Sequence, residues 1–258
     1  MFADIESKYE GNLHIHAIKL GSETSWKYRE NDLVATASTI KLPILMHAAM
    51  CVYDGYLSWD TKITLKESDK VGGMGVLQHL NTPHELTLHD ACYLMTAISD
   101  NTATNLVMDV VGIDNVNQFI RTFGLTDTKL FRKAFSPNTE DSKVFGLGQT
   151  SASDMLTLLS EIYRPNKLPL SVVNDIRSML SKQTDQVSIP RVLPHGWSYE
   201  GKTGRVTEVR GDVGYVKAPD GREWLLSMFC YGLTTENWSI DNDGLLAIAE
   251  ATKRILDL

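Results

Sequence analysis

Ser38 and Lys41 are the first residues of this chain whose types and spacing could perform chemistry. They lie three positions apart at the start of an apolar stretch, so a helix there would place both side chains on one face, one turn apart. Backbone N–H groups at a helix start favour a developing oxyanion. A lysine can accept the hydroxyl proton if burial or another cation lowers its pKa. Alone, the pair is weak support for an active site, because a solvated helix start has the same pattern.

Two tripeptides further along the chain strengthen this interpretation. Ser99-Asp100-Asn101 is predicted at the junction of two helices, where a sharp turn would direct side chains into a cleft. Lys202-Thr203-Gly204 is predicted at the end of a strand, where glycine lets a ligand approach the backbone closely. Together with Ser-x-x-Lys, these tripeptides form the motif set of class A β-lactamases and penicillin-binding proteins. They occur here in the same order.

The chain resembles the class A β-lactamase family over nearly its whole length. Four stretches are similar to blocks of that family in their proper order, namely ASTIKLPI, GGMGVLQHL, AISDNTATNL and GKTGRVTEVRGDVGYV. The resemblance implies an α/β (α+β) fold of class A β-lactamase type, with an antiparallel sheet from both chain ends, flanking helices and an inserted all-helical lobe. We predict a sheet domain at 1–33 and 182–258, a helical domain at 34–181, and an active site in the cleft between them.

The resemblance also implies a catalytic role for each residue at a matching position. Ser38 would open the substrate amide and form an acyl-enzyme, and Lys41 would act as base or as part of the proton network. Ser99 would pass the proton to the leaving nitrogen, and Lys202 would help to lower the pKa of Ser99 or Lys41. The oxyanion hole would use the backbone N–H groups of Ser38 and Arg205.

A second group of residues would bind the substrate in the same comparison. Asn101 would hold the side-chain amide of the substrate, while Lys202 and Thr203 would grip its carboxylate and Arg210 would add positive charge. The full set expected to bind substrate is Asn101, Thr203, Gly204, Arg205, Arg210 and Asn138. These roles agree with the chemistry of the residues themselves, which supply a nucleophile, an amine, a hydroxyl and cations for an anion.

One position departs from the family pattern in a way that affects the reaction. Class A enzymes use a loop glutamate, two residues after an arginine and four before an asparagine, to activate the water that releases the acyl group. Arg132 and Asn138 fit these ends, but Ala134 occupies the position of the glutamate. Alanine cannot accept a proton. Because a positioned general base typically contributes about 10²- to 10⁴-fold in rate, we expect acylation to survive and deacylation to be slow.

The same loop differs at its anchor and contains two other carboxylates. Gly148 stands where the family has an aspartate that pairs with the loop arginine, so we expect this anchor to be lost. Glu140 and Asp141 could replace the missing base if the loop folds differently. As exposed loop charges they would have no catalytic role, and this is the simpler interpretation.

Three functions are compatible with these residues. The first is an active-site-serine acyl hydrolase of β-lactamase type that opens β-lactam amides through a Ser38 acyl-enzyme, with slow or unusual deacylation. The second is a D-alanyl-D-alanine peptidase or esterase of penicillin-binding-protein type, which uses the same site. The third is a non-catalytic β-lactam receptor that stays acylated. The lifetime of the adduct separates these functions.

Composition limits the partners and the class of protein. The 258 residues are 43% hydrophobic and 22% charged, with a formal net charge of −7, which is typical of a globular protein and argues against a general nucleic-acid binder. We expect a small-molecule substrate, a monomer, and no metal or other cofactor. Cys51, Cys92 and Cys230 are too few and too scattered for a disulfide framework. Buried free thiols are favoured, and pairing of Cys51 with Cys92 stays open.

Targeting signals do not decide the compartment. The first twelve residues, MFADIESKYEGN, contain no basic segment followed by an apolar one, and no stretch reaches the roughly 18 apolar residues that a membrane span needs. The chain is therefore expected to be either cytoplasmic or the mature form of an exported protein.

Hydrophobic periodicity and turn residues predict the elements that position these groups. Helices are predicted at 5–9, 38–52, 87–98, 101–111, 116–123, 153–162, 171–181 and 245–256. Strands are predicted at 13–20, 25–29, 199–203, 212–217 and 223–231, with a short extended piece at 62–65. Residues 131–150 show no period and contain Pro137 and two glycines, so a long functional loop is predicted there.

Overall fold

A five-stranded antiparallel sheet lies between helices in the computed structural model, which describes all 258 residues. The strands of the chain are β1 (Asn12–Lys19), β2 (Ser25–Tyr28), β3 (Val34–Ala35), β4 (Lys62–Leu65), β5 (His84–Thr87), β6 (Lys129–Leu130), β7 (Gly148–Thr150), β8 (Ser198–Val206), β9 (Val209–Lys217) and β10 (Glu223–Tyr231). The main sheet has the order β2-β1-β10-β9-β8, and two small sheets are formed by β3-β7-β6 and β4-β5. The main sheet therefore joins both ends of the chain, as predicted, and β8 is an edge strand.

Helices fill the middle of the sequence and cover both faces of this sheet. They are α1 (Ala3–Glu6), α2 (Lys41–Tyr53), α3 (Leu88–Ala97), α4 (Asn101–Val111), α5 (Ile113–Thr122), α6 (Ser142–Phe145), α7 (Ala152–Tyr163), α8 (Leu170–Leu180) and α9 (Asp243–Leu256). Helix α7 packs against β1, β9 and β10, whereas α9 contacts the same three strands and α1. Consecutive residues of β10 divide between the two layers: Leu225 belongs to the core shared with α2 to α8, and Leu226 belongs to the core with α9. This alternation is the period of two expected of a strand covered on both faces.

Helix α2 lies in the centre of the helical layer. Its residues from Lys41 to Met46 are all buried, as are Ala48 and Ala49. A helix that is apolar on all sides is a buried core helix rather than a surface one. Pro43 lies in the first turn, where a missing N–H costs no hydrogen bond. The N-terminal end of α2, which carries Lys41, is therefore held by packing around the whole helix.

Local sequence signals explain several helix ends. The predicted cap at Thr87 is confirmed, because its hydroxyl accepts from the Asp90 N–H at 3.0 Å and the Asp90 carboxylate accepts from the Thr87 N–H at 2.9 Å. Helix α4 has the predicted bounds, with Asp100 as its N-cap. Gly112 has a φ of 80° between α4 and α5, a conformation that suits glycine.

The structure corrects other predicted elements. The helix predicted at 38–52 is divided, because Ala37–Ile40 forms a 3₁₀ turn and the α-helix begins at Lys41. The opening helix predicted at 5–9 lies at Ala3–Glu6. Strand β5 was not predicted, and the region 131–150 contains α6 and β7 within the predicted loop. These short elements depend on contacts with distant strands, which local periodicity does not encode.

None of the helices combines the length and the apolar character that crossing a membrane requires. The three cysteines are free thiols, so Cys51 and Cys92 do not pair. Cys92 and Cys230 are buried, as predicted, but Cys51 is partly exposed. The domain boundaries at 33/34 and 181/182 stay a prediction.

Candidate active site

Ser38 lies in the 3₁₀ turn that leads directly into α2. In such a turn the side chains of residues three apart are eclipsed, which brings Ser38 and Lys41 to one side. The preceding residue, Ala37, has a φ of 43°, an uncommon conformation for a residue other than glycine. Thr36 fixes the turn from below, because its N–H and hydroxyl both donate to the Gly148 carbonyl, at 2.9 and 3.0 Å. Ser38 is half-buried.

Strand β8 runs against the backbone of this turn at Gly204. A Cβ atom at Gly204 would lie 2.8 Å from the Ser38 nitrogen and 2.7 Å from the Thr36 carbonyl oxygen. Contacts below 3.0 Å are not tolerated against backbone atoms, so only glycine allows this approach. The sequence predicted that this glycine lets a ligand approach the backbone closely, whereas in the structure it is the serine turn that approaches it. Arg205 follows directly, beside the turn.

The Ser99-Asp100-Asn101 turn joins α3 to α4, as predicted. Ser99 has a φ of 58°, which makes the chain turn sharply. The buried Asp100 carboxylate accepts from the N–H groups of Val76 at 2.7 Å and Leu77 at 2.9 Å, besides capping α4. The turn is thereby fastened to the glycine-containing loop at 72–75. Asn101 completes this fastening by donating to the Gly72 carbonyl at 3.1 Å.

Two buried lysines converge on the Ser99 hydroxyl. Lys41 Nζ donates to Ser99 Oγ at 3.1 Å, to the Ser99 carbonyl at 2.8 Å and to Asn101 Oδ1 at 3.0 Å. Lys202 Nζ donates to the same Oγ at 3.1 Å and to the Thr203 carbonyl at 2.8 Å. Both lysines are 1% exposed. The predicted catalytic residues Lys41, Ser99 and Lys202 therefore form one hydrogen-bonded group beside the turn of Ser38.

The burial of these lysines changes their acid–base behaviour. Burial, with a smaller contribution from the charge of Lys202, lowers the pKa of Lys41 well below its usual value. Burial also lowers the pKa of Lys202 to about 8, although Asp185 and Asp212 oppose the change. A lysine with a lowered pKa is partly neutral near neutral pH and can accept a proton. The site thus combines an amine base, a hydroxyl that can pass a proton, and a second cation.

Arg210 was predicted to add positive charge for the substrate carboxylate. Its guanidinium is buried and donates to the backbone carbonyls of Val206, Val209 and Asn237, and it lies over the Trp238 ring at 5.1 Å. Three of its five N–H donors are thereby used by main-chain carbonyls. The role of Arg210 in substrate binding stays a prediction.

Asp185, which the sequence did not indicate, contacts the tripeptide containing Thr203. Its Oδ2 atom accepts from the Thr203 hydroxyl at 3.0 Å, and it forms an ion pair with Arg205. The residue lies in the irregular segment after α8, where neither periodicity nor a motif marks it. Its contact with Thr203 and Arg205 becomes evident only when β8 is placed beside this segment.

The loop containing Ala134 is fixed from α4. Ala134 donates its N–H to Asn105 Oδ1 at 2.9 Å and accepts from Asn105 Nδ2 at 3.0 Å, so both its backbone groups are held by one side chain. Its own side chain is buried and has no acid–base function. Asn138, predicted to bind substrate, is exposed and makes no side-chain hydrogen bond. Its role in substrate binding stays a prediction.

The two other carboxylates of this loop, Glu140 and Asp141, form ion pairs with lysines. Asp141 pairs with Lys129 at 2.9 Å and Glu140 pairs with Lys143 at 2.7 Å, and all four side chains are largely exposed. These contacts agree with the interpretation of exposed loop charges. The expected loss of the arginine anchor is also observed, since Arg132 forms no ion pair and donates to the Ser136 carbonyl at 2.5 Å.

Comparison with known proteins identifies the family of this chain. The sequence model of the Beta-lactamase enzyme family matches residues 1–258. The chain therefore belongs to the β-lactamase enzyme family. The predicted family and the predicted class A type of fold are both confirmed.

Solved structures agree with this assignment. A β-lactamase from Sphaerobacter thermophilus is 29% identical, with a TM-score of 0.88, and the match covers 99% of this chain and 95% of that one. A PBP-A mutant in an acyl-enzyme complex with penicillin G is 25% identical, with a TM-score of 0.86 and coverage of 99% and 93%. A class A β-lactamase from Mycobacterium abscessus has the same fold at 21% identity, with a TM-score of 0.88 and coverage of 99% and 96%.

Proposed function

We propose that this protein is an active-site-serine acyl hydrolase of β-lactamase type that is acylated at Ser38 and deacylated slowly. In the first step Ser38 Oγ attacks the carbonyl carbon of the β-lactam, forming a C–O bond while the C–N bond breaks. The hydroxyl proton passes through Lys41 and Ser99 to the ring nitrogen. Hydrolysis of the resulting ester by water would return the serine hydroxyl and release a carboxylate.

The hydrogen-bonded group around Ser99 supports the acylation step. Ser99 Oγ is within 3.1 Å of both lysine ammonium groups, so it can receive a proton from one side and deliver it to a leaving nitrogen. The lowered pKa of Lys41 favours its neutral form, which can accept the Ser38 proton. The backbone N–H groups of Ser38 and Arg205 would stabilise the oxyanion, because Gly204 brings β8 close to the serine turn.

Ala134 is the single observation that supports slow deacylation. It has the position of the family's water-activating glutamate, and the nearby Glu140 and Asp141 pair with lysines. The same observation favours a second candidate function, a D-alanyl-D-alanine peptidase or esterase of penicillin-binding-protein type. The acyl-enzyme formed by the PBP-A mutant gives a precedent for acylation in a similar chain.

Intact-mass spectrometry after mixing the protein with benzylpenicillin tests the acylation step. We expect a single adduct with the mass of one penicillin, and peptide mapping should locate it on Ser38. The Ser38→Ala variant should form none, whereas Ser22→Ala, in the exposed turn between β1 and β2, should react like the wild type. An adduct that persists in Ser38→Ala would overturn the assignment of the nucleophile.

A further inference from the structure

The Asp185 carboxylate occupies the donors that are expected to bind a substrate carboxylate, Thr203 and Arg205. Asp185 Oδ2 accepts from the Thr203 hydroxyl at 3.0 Å and also pairs with the Arg205 guanidinium. Lys202, on the same strand, is buried and donates to Ser99 instead. A hydroxyl and a guanidinium that share one carboxylate are a typical carboxylate-binding pair. Here both donors already bind the Asp185 carboxylate.

The surroundings of Asp185 show which chemical groups this position favours. Its second oxygen, Oδ1, is buried and has no hydrogen-bond partner. The neighbouring Gln183 side chain is 7% exposed, and both of its polar atoms lack partners. These residues line a cavity of about 30 Å³ together with Ser99, Lys202 and Thr203. An unused carboxylate oxygen is an acceptor, so it suits a donor or a neutral polar group and repels a second carboxylate.

We propose that Asp185 is a specificity-determining residue that disfavours a carboxylate at Thr203 and Arg205, so that the enzyme prefers acyl substrates that are uncharged beside the scissile bond. This inference rests on the proposed acylation of Ser38. A substrate carboxylate must either displace Asp185 from both donors or lie beside it. Either requirement weakens binding, because like charges in contact are strongly unfavourable and broken charge-assisted hydrogen bonds are costly. A neutral ester is not repelled by Asp185 and does not need to displace it from Thr203 and Arg205.

Benzylpenicillin and its methyl ester provide the test, since they differ only in this carboxylate. The second-order rate constant for adduct formation is measured for both reagents by intact mass, and the readout is the acid-to-ester ratio. In Asp185→Asn we expect this ratio to rise about tenfold or more, through faster reaction of the acid, because the amide can still accept from Thr203 without repelling an anion. Asp185→Ala should change the ratio in the same direction.

The matched control is Asp220→Asn, which removes the carboxylate of an exposed Asp–Arg pair with Arg222 in the turn between β9 and β10. It changes the net charge equally and should leave the ratio unchanged. A ratio within twofold of the wild type in both Asp185 variants, or parallel changes for acid and ester, would overturn the inference and leave Asp185 as a structural partner of Arg205. Absence of any adduct with both reagents in the wild type would overturn the proposed function and this inference together.

Discussion

The two buried lysines give the site its expected pH dependence. Neutral Lys41 is needed to accept the serine proton, and the pKa of this lysine is lowered by burial and by Lys202. The acylation rate should therefore rise as pH increases through the lowered pKa of Lys41. Lys202 loses its charge near its pKa of about 8, and the site then loses the positive charge beside Ser99 and Lys41. Because the charges of Lys41 and Lys202 interact, the pH profile of acylation reports pKa values that belong to the pair and not to either lysine alone.

We expect a bell-shaped pH profile for acylation whose alkaline limb falls near pH 8. Replacing Lys202 by arginine, which keeps its charge at all accessible pH values, should remove this alkaline fall, even if the maximum rate decreases. The measurement is the second-order rate constant of adduct formation with benzylpenicillin across pH, with the folded state checked by circular dichroism at each pH. An alkaline fall that persists unchanged in Lys202→Arg would show that another group titrates there.

At the residue scale, motif positions were predicted well and side-chain partners less well. Lys41, Ser99 and Lys202 come together in one hydrogen-bonded group. The prediction that Lys202-Thr203-Gly204 lies at the end of a strand was wrong, because β8 continues to Val206. The direction of Arg210 could not be predicted, since it depends on which main-chain carbonyls the end of β9 brings near its guanidinium. Asp185 was missed for the same reason: its partners, Thr203 and Arg205, are distant in sequence and are found only when β8 is placed.

At the element scale, the approach of β8 to the serine turn is the contact on which the site depends. Gly204 makes it possible, because any Cβ there would meet backbone atoms of Thr36 and Ser38. The 3₁₀ turn has no side-chain cap of its own. Its position is set by Thr36, by the start of α2 and by this strand. A displacement of β8 would therefore move the Arg205 N–H away from the Ser38 N–H.

Gly204→Ala should reduce the acylation rate by about 100-fold or more, because it separates the two proposed oxyanion donors, whose individual loss typically costs 10²- to 10³-fold. Rates of adduct formation with benzylpenicillin measure the effect. Val206→Ala, at an exposed position of the same strand, is the control and should react at the wild-type rate. A Gly204→Ala protein that folds and reacts normally would contradict the proposed role of this contact.

Element prediction succeeded where local signals were complete. Helix α4 has both a capping aspartate and a glycine at its end, and its bounds were predicted. The 3₁₀ turn before α2 was not, because Ser38 and Lys41 fit one continuous helical pattern equally well. Strands β3 and β7 were missed because each has two or three residues and is defined by its pairing across the chain.

At the scale of the whole molecule, the fold brings together residues from three distant parts of the sequence. The serine turn and α2, the α3–α4 turn and β8 contribute the proposed catalytic groups, and the sheet that holds β8 is built from both chain ends. A sheet built from both chain ends was predicted from the order of the elements, because strands were predicted at the two ends of the chain and helices in the middle, and it is confirmed. The register between β1 and β10 could not be predicted, since that pairing joins segments at opposite ends of the chain.

The proposed acylation site lies beside a loop that lacks the general base of the family. The measurement that tests this claim most directly is the lifetime of the benzylpenicillin adduct, followed by intact mass after excess reagent is removed. We predict that the wild-type adduct lasts for many minutes, and that Ala134→Glu shortens its life by about tenfold or more by supplying a general base. Ser136→Glu, two residues along the same loop, should not.

The same experiment can contradict the predicted slow deacylation. A wild-type adduct lost within seconds, with rapid steady-state penicillin turnover that persists in the double variant Glu140→Gln and Asp141→Asn, would show that deacylation is efficient without a loop carboxylate. A persistent wild-type adduct that maps to Ser38 is the result that the structure predicts.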